Sequence, residues 1–421
     1  MKEIILQGQA QGLRAAVIEE GQLMEVFEQE GPYSRLVGNI YLGRVENVLP
    51  GMEAAFVDIG LDKNAFLYVG DAVQPHFEEG EEGRASSDSV RIQDILKPRQ
   101  ELLIQVVKDS VGNKGARIST NVSLPGRYVV LLPQVDYVGV SRKILVSEER
   151  ERLKELVTEA CPPGMGIIIR TLAQGLEGQE LVRDIEQLVA LWRDIQKRLS
   201  RVAVPGLVHQ DVDLVLRLIR DFIDADVEKI TLNKEEVAQF LRQSLQLMNH
   251  PVGNRILVDT RENLFSHFGI DEEIKKALLP KVWLKNGGYL VINQTEALVV
   301  IDVNTGKYVG KHSLEETVLD TNLQAAGEIA RQLRLRNLGG IIVIDFIDMV
   351  NNEDKQQVLK TLEQACERDK IKCHVIGLTQ LGLVEMTRKK VGQTLANRYT
   401  KLCLTCSGSG RLGLTNLTER C

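Results

Sequence analysis

The chain lacks any apolar run approaching the length needed to cross a bilayer, which argues against a membrane-spanning helix. Its start, Met1-Lys2-Glu3, lacks the basic and apolar regions of a signal peptide, so a cytoplasmic location is expected. Excess positive charge is missing too: the formal net charge is −6, so any argument for nucleic-acid binding has to come from local patches. The six histidines, His76, His209, His250, His267, His312 and His374, show no paired spacing, which argues against a histidine-rich zinc nuclease. Six cysteines in a cytosolic chain make no disulfide framework. What is present is a folded composition, 43% hydrophobic over 421 residues, long enough for about two to four domains.

Two short apolar runs in the last third each end in an aspartate: Ala297-Leu298-Val299-Val300-Ile301-Asp302 and Ile341-Ile342-Val343-Ile344-Asp345. Runs this short and rich in Val and Ile are expected to be buried strands. A carboxylate ending a buried strand is costly unless a cation meets it, and two on neighbouring strands suit a hard divalent cation such as magnesium. Asn304 and Asp348 follow closely and could orient its waters. Beside a phosphodiester such a cation activates water and steadies developing charge, so the pattern points to hydrolysis of a phosphate ester. The alternative is that each aspartate caps the next helix. Against it, Ser313-Leu314-Glu315-Glu316 is a capping box of its own, followed by Leu319, Leu323, Ala326, Ala330 and Leu333 at helical spacing up to Gly339-Gly340. Strand, loop, helix, strand predicts parallel neighbours with both aspartates at one sheet edge.

Two basic groups, Arg331 with Arg334 and Arg336, and Arg388-Lys389-Lys390, are either solvated helix ends or phosphate-binding patches. Of the cysteines, Cys161, Cys366, Cys373 and Cys421 stand apart, and only Cys403-Leu404-Thr405-Cys406 has metal-ligand spacing. Tetrahedral zinc needs four ligands, so a second subunit is expected to supply the other two. A redox pair is the alternative, weakened by the absence of a strand-to-helix context.

The first residues pattern as a β-meander: Ile4-Ile5-Leu6, then residues 13–19, a Glu20-Gly21 turn and residues 22–27. Residues 36–45, 54–60, 64–69 and 101–107 continue the β pattern, supplying four of the five short strands that, with glycine-rich turns, suit a small OB-type barrel. Phe56 and Phe66 are either core or base-stacking aromatics. Residues 71–91, with the acidic run 78–82, pattern as a mobile loop. Residues 119–205 mix strands (128–132, 166–170) with two helices, the second carrying Leu181, Ile185, Leu188, Trp192, Ile195 and Leu199 on one face. Arg170-Thr171 closes an apolar strand as a phosphate clamp or a structural ion pair. The acids between Asp211 and Glu228 form a rival carboxylate cluster, but Leu214, Leu218 and Phe222 at helical spacing put most of them on a solvated helix face.

Together, Glu53-Ala54-Ala55-Phe56-Val57-Asp58, Gly112-Asn113-Lys114-Gly115, Gly164-Met165-Gly166, Arg331-Gln332-Leu333-Arg334-Leu335-Arg336, Ile344-Asp345-Phe346-Ile347-Asp348-Met349 and Cys403-Leu404-Thr405-Cys406-Ser407-Gly408 resemble the catalytic half of the bacterial ribonuclease E/G family, with the size of its ribonuclease G members. The resemblance runs from Met1 to about Arg411. It implies a magnesium-dependent endoribonuclease that cuts single-stranded, AU-rich RNA, leaves a 5′-phosphate and a 3′-hydroxyl, and responds to a 5′-monophosphate. The substrates would be ribosomal or transfer RNA precursors or messenger RNA, in RNA processing and mRNA decay. Asp302 and Asp345 match the family's metal-binding pair and Asn304 the asparagine beside them. Phe56, Phe66 and Lys114 match residues that guide RNA. Gly126, Val130, Arg170 and Thr171 match a 5′-sensor pocket, and Cys403 with Cys406 a zinc shared between two protomers.

The implied architecture is α+β and multi-domain: a degenerate RNase H-like domain (1–35 and 214–277) interrupted by an OB-fold RNA-binding domain (36–118) and a 5′-sensor (119–213), then a DNase I-like catalytic subdomain (278–400), a zinc link (401–412) and a tail (413–421). Ile4-Ile5-Leu6 has no central acid, so no second active centre is expected. The chain stops soon after the cysteine pair, so a homodimer without the scaffold half is expected, dimer versus tetramer is left open, and no membrane contact is expected. Leu124-Pro125-Gly126-Arg127 departs from the sensor pattern. Two rivals remain, a non-catalytic RNA-binding module and a redox protein using Cys403 and Cys406. RNA cleavage separates the first and zinc content the second.

Overall fold

The structure, a computed structural model, describes residues 1–10, 12–29, 36–73, 90–110, 114–212, 214–224, 226–247, 251–307, 313–401, 403–406, 408 and 410. The acidic run 78–82, Gly112, Asn113, Asp213, His76, His250, His312, Ser407 and the tail with Cys421 lie outside them. Helices and four sheets alternate along the chain, an α+β arrangement. Among the described residues no helix is long and apolar enough to cross a membrane.

The expected meander forms: Lys2–Gln9, Gly12–Glu19 and Gln22–Gln29 are antiparallel neighbours. Two strands from much later, Val227–Leu232 and Ile256–Val258, add in parallel beside the first strand. Alternation decides which side each residue serves. Ile4 and Leu6 pack under the helices Leu214–Asp221 and Glu235–Leu247, while Ile5 packs with Phe265, Ile270 and Ile274 on the other face. Each such fully buried Ile is worth about 1.5–3 kcal/mol.

The second sheet closes on itself. Strand Ile40–Leu49 pairs with Ala54–Asp58 through its second half and with Glu101–Lys108 through its first. Ala65–Tyr68 and Arg117–Ser119 complete a closed five-stranded barrel, and Gly206–His209 adds outside. This agrees with the expected OB-type barrel. The segment expected to be a mobile loop, 71–91, lies largely outside the described residues and is flanked by helical turns, Val69–Ala72 and Ile92–Ile95. Asp71 is an anchor there, with Arg117 Nε donating to its carboxylate at 2.6 Å.

A four-stranded sheet, Leu124–Pro125, Val129–Leu132, Val138–Val140 and Gly166–Ile169, packs on Ser147–Ala160 and Gly178–Leu199. The apolar stripe of the second helix is buried, as its spacing requires.

The last sheet orders Lys281–Trp283, Tyr289–Gln294, Leu298–Asn304, Gly340–Asp345, Val384–Arg388 and Cys373–Leu378 from edge to edge. Leu314–Leu335 connects its two parallel strands and starts as expected, with the Glu316 N–H donating to Ser313 Oγ at 3.1 Å. This helix and Asn352–Glu367 bury one face of the sheet through Val299, Ile301, Ile342 and Ile344. The opposite face is open, which corrects the expectation of strands buried on both sides. Val300 and Ile341, inside the apolar runs, are exposed.

Candidate active site and RNA-contact residues

Parallel pairing places Asp302 directly beside Asp345, as the strand–helix–strand pattern predicts. Both carboxylates lie exposed on the open face, so relief of a buried charge does not explain them. Asn304 Nδ2 donates to Asp302 Oδ2 at 2.7 Å, fixing one carboxylate in its plane. Neither aspartate caps a helix. The first helix has Ser313 as its N-cap, and the second begins at Asn352, well past Asp345. The protein therefore presents two carboxylates and an amide, hard oxygen donors open to water. A divalent cation that keeps most of its waters takes such a set. Among the described residues no group of three or more His, Cys, Asp or Glu that could hold a metal gathers, at this pair or elsewhere.

Asn322, within the helix Leu314–Leu335, holds the backbone that follows Asp345. It is fully buried and bonds both backbone groups of Ile347, just before Asp348. A lone Asn at an inward helical position is the only signal the sequence offers.

The basic groups need correction. Arg334 is neither solvated nor open to phosphate: its buried guanidinium donates to Glu19 and Glu25 of the N-terminal sheet. Arg331 bonds Glu328 and the Leu23 carbonyl, and Arg336 bonds Gln332. Arg388 ends a strand, not a helix, and its buried Nε donates to Asp369 at 2.7 Å. Lys389 and Lys390 alone are exposed. A charge run in sequence does not reveal partners far away along the chain.

On the barrel, Phe56 and Phe66 are cross-strand partners with ring centroids 6.0 Å apart, edge to face. Both are half-buried, and Lys114 is exposed. Gly115 beside it has a steric reason: a Cβ would stand 2.0 Å from the Asn64 carbonyl oxygen.

In the four-stranded sheet, Arg170 follows the strand Gly166–Ile169 and donates to the Gly126 carbonyl at 2.6 Å and to Asp221 at 2.7 Å. The structural ion pair is therefore present. Thr171 Oγ1 lies 3.0 Å from Ser141 Oγ, and Val130 sits mid-sheet opposite Pro125 and Ile168. The backbone N–H groups of Arg127, Tyr128 and Val129 all donate to Asp184. A Cβ at 126 would lie 2.6 Å from the Asp184 oxygens, so any residue but glycine would have to displace the carboxylate that holds these three N–H groups. The Arg127 guanidinium turns away to the carbonyls of Ile219 and Ile223. Asp221 is a correction to the solvated acidic face: burial pushes its carboxyl up, yet Arg220 and Arg170 outweigh this and hold it below the ordinary value. Asp224 is likewise paired, to Lys2 at 2.6 Å.

Cys403 and Cys406 lie in a turn, the first exposed and the second half-buried. Hydrogen bonds from the Cys406 and Thr405 backbone lower the Cys403 thiol to about 7. The turn presents two sulfur donors of the four that a closed zinc site needs.

Oxygen donors ending two parallel strands, in a chain that also carries a closed barrel with aromatic and cationic side chains, are the equipment of a nucleic-acid hydrolase. Comparisons with known proteins narrow the class. Residues 123–391 match the model of the ribonuclease E/G family. Ribonuclease G of Escherichia coli (strain K12) is 43% identical over 408 residues, covering 94% of this chain and 81% of that protein. Ribonuclease G of Haemophilus influenzae is 43% identical over 404 residues, 95% of this chain and 82% of its own. Ribonuclease E of a Nostoc species is 41% identical over 416 residues, 97% of this chain but 58% of its own length. The chain belongs to the ribonuclease E/G family and is an endoribonuclease of that type.

Proposed function

We propose that the chain is a magnesium-dependent endoribonuclease that cuts single-stranded, AU-rich RNA to leave 5′-phosphate and 3′-hydroxyl ends, in RNA processing and decay. The observation that carries this reading is the side-by-side register of Asp302 and Asp345 on an open sheet face. Asp302 and Asp345 would hold the cation, and Asn304, bonded to Asp302, would keep that carboxylate in its liganding orientation. Magnesium, when bound there, supplies a Lewis acid for the phosphoryl oxygen and lowers the pKa of water. With water attacking phosphorus, the 3′-oxygen leaves and takes a proton, so the phosphate stays on the 5′ side of the downstream fragment.

Phe56, Phe66 and Lys114 would guide the strand by stacking and charge. Gly126, Val130, Arg170 and Thr171 would receive a 5′-monophosphate. Since Arg170 already holds Asp221, the phosphate would have to share or displace that partner. Cys403 and Cys406 would share one zinc with a second copy, making a cytoplasmic homodimer. The N-terminal sheet, three antiparallel strands extended by two parallel ones, supports the reading of residues 1–35 with 214–277 as RNase H-like. The last sheet, covered on one face by two helices, supports the reading of 278–400 as a DNase I-like unit.

Asp302→Asn and Asp345→Asn test the reading on a short single-stranded RNA over a magnesium titration. Each should retain RNA binding and lose about two to four orders of magnitude in turnover. Near-normal turnover by either variant at saturating magnesium would exclude it.

A further inference from the structure

The register of the last sheet lines up two rows of side chains across its open face. Lys281 pairs with Val291, Val291 with Asp302, and Asp302 with Asp345. In the next row Trp283 pairs with Tyr289, and Tyr289 with Asn304. Directly opposed residues point to the same side of a sheet, so all seven share the face that carries the carboxylates. Strands lie about 4.8 Å apart, which puts the Trp283 strand about 10 Å from the Asp302 strand.

Three of these side chains form a cluster. The rings of Trp283 and Tyr289 meet edge to face with centroids 5.4 Å apart. The Lys281 ammonium stands over both, 3.6 Å from the Tyr289 centroid and 4.2 Å from that of Trp283. Yet Trp283 remains 59% exposed. The cluster sits on a rigid hairpin: the Leu284 N–H donates to the Gly288 carbonyl at 2.8 Å, and Asn286 Nδ2 donates to Asp320 and Thr321 of the helix Leu314–Leu335. The chain leaving Asn304 lies close against it, since a Cβ on Gly306 would fall 2.5 Å from the Gly287 carbonyl oxygen.

We propose that Trp283 and Tyr289, with Lys281, form a base-stacking subsite for single-stranded RNA on the open face of the carboxylate-bearing sheet, holding a base close to the scissile phosphate. An exposed indole presents a π-face that accepts any base, and a lysine beside it attracts the phosphate that follows. The subsite is separate from the barrel aromatics Phe56 and Phe66 and rests on the reading of Asp302 and Asp345 as the cleavage site. Its role is positioning: the stacked base fixes which phosphate lies over the carboxylates.

The chain has two tryptophans, and the other, Trp192, is buried at 4% exposure, so Trp283 can be read by its own fluorescence. In a Trp192→Phe background, a single-stranded RNA oligomer titrated in EDTA should quench Trp283 saturably, while inorganic polyphosphate, with charge and no bases, should not. No quenching, or equal quenching by polyphosphate, overturns the proposal. This readout is independent of cleavage, so it separates failure of the subsite from failure of the carboxylate assignment.

Kinetics supply the second test. An abasic residue moved through the substrate should lower kcat/KM about 5- to 100-fold at one position near the cut. Trp283→Leu should abolish that dependence and Trp283→Phe should retain most of it. An unchanged abasic profile in Trp283→Leu, or a shift of that variant toward monomer in sedimentation, would show the cluster to be structural or a subunit contact instead.

Discussion

Asn322 grips Ile347 by both of its backbone groups: Nδ2 donates to the carbonyl at 2.8 Å and Oδ1 accepts the N–H at 3.1 Å. Ile347 lies between Asp345 and Asp348, so the helix that packs under the sheet also sets the path of the chain as it leaves Asp345. The two bonds replace the strand pairing that ends there.

Asn322→Leu should leave both Ile347 groups unsatisfied at about 1–3 kcal/mol each. We expect a lower melting temperature together with a fall in kcat larger than any change in KM. Asn322→Asp keeps the acceptor but sets a buried carboxylate oxygen against the Ile347 carbonyl, so near neutral pH it should cost at least as much. Steady-state kinetics beside thermal melting decide the matter, since a lowered melting point with unchanged kcat would limit Asn322 to stability.

Arg334 ties the same helix to the N-terminal sheet through Glu19 and Glu25. Arg334→Met should strand two partly buried carboxylates and cost about 3–5 kcal/mol, read as a lower denaturant midpoint. Burial pushes the Glu25 carboxyl above its ordinary value even with Arg334 beside it. Without the arginine it should rise further, and a carboxyl raised in the folded state gains stability as it takes up a proton. The deficit of the variant should therefore shrink as the pH falls toward about 4.3. A deficit constant with pH would mean that lost packing, rather than stranded charge, dominates.

The contrast between Asp302 and Arg334 explains what the sequence made legible. Asp302 and Asp345 close short Val/Ile runs joined through a capped helix, and local periodicity with parallel pairing is enough to put them side by side. The meander and most of the barrel follow from the same short-range patterns. Arg117–Ser119, only three residues long, carries too little pattern to stand out. Arg334 reads locally as a helix-end cation, but its partners lie some three hundred positions earlier, and no local pattern encodes them. Asp221 misled for the same reason, since it reads as one more acid on a charged helix until folding brings Arg170 to it. The open face of the last sheet was hidden because apolar residues such as Val300 and Ile341 occupy its exposed positions.

Asp221→Asn should weaken the hold on Arg170 and destabilise the protein in a pH-dependent way. The folded-state carboxyl is held below its ordinary value of about 3.9. Its contribution is thus fully present above that value and is lost as the pH falls through the lowered one. The melting temperatures of wild type and variant should differ near pH 7 and converge in acid. A difference that persists unchanged at pH 3 would show that the carboxylate charge is not what matters.

Arg170→Ala should remove any advantage of a 5′-monophosphate without stopping cleavage of circular or 5′-hydroxyl RNA. A charged hydrogen bond of this kind is worth about 1.5–3 kcal/mol, or roughly ten- to a hundred-fold in selectivity. Because Arg170 also braces the Gly126 carbonyl, the variant needs a melting curve beside the kinetics. Equal loss on 5′-monophosphorylated and 5′-hydroxyl substrates would assign Arg170 to structure alone.

Cys403 and Cys406 should carry about half a zinc per chain, because one pair gives two of the four thiolates of a closed site and two-fold symmetry brings the same pair from a second copy. Their position in an exposed turn leaves them accessible to such a partner. Cys403→Ser with Cys406→Ser should strip the metal and shift the protein toward monomer. Activity should fall as well if both subunits build the RNA path. Metal analysis beside sedimentation of wild type and double variant tests this. One full zinc per chain, or a zinc-free variant that stays dimeric, would show that these cysteines do not join two protomers.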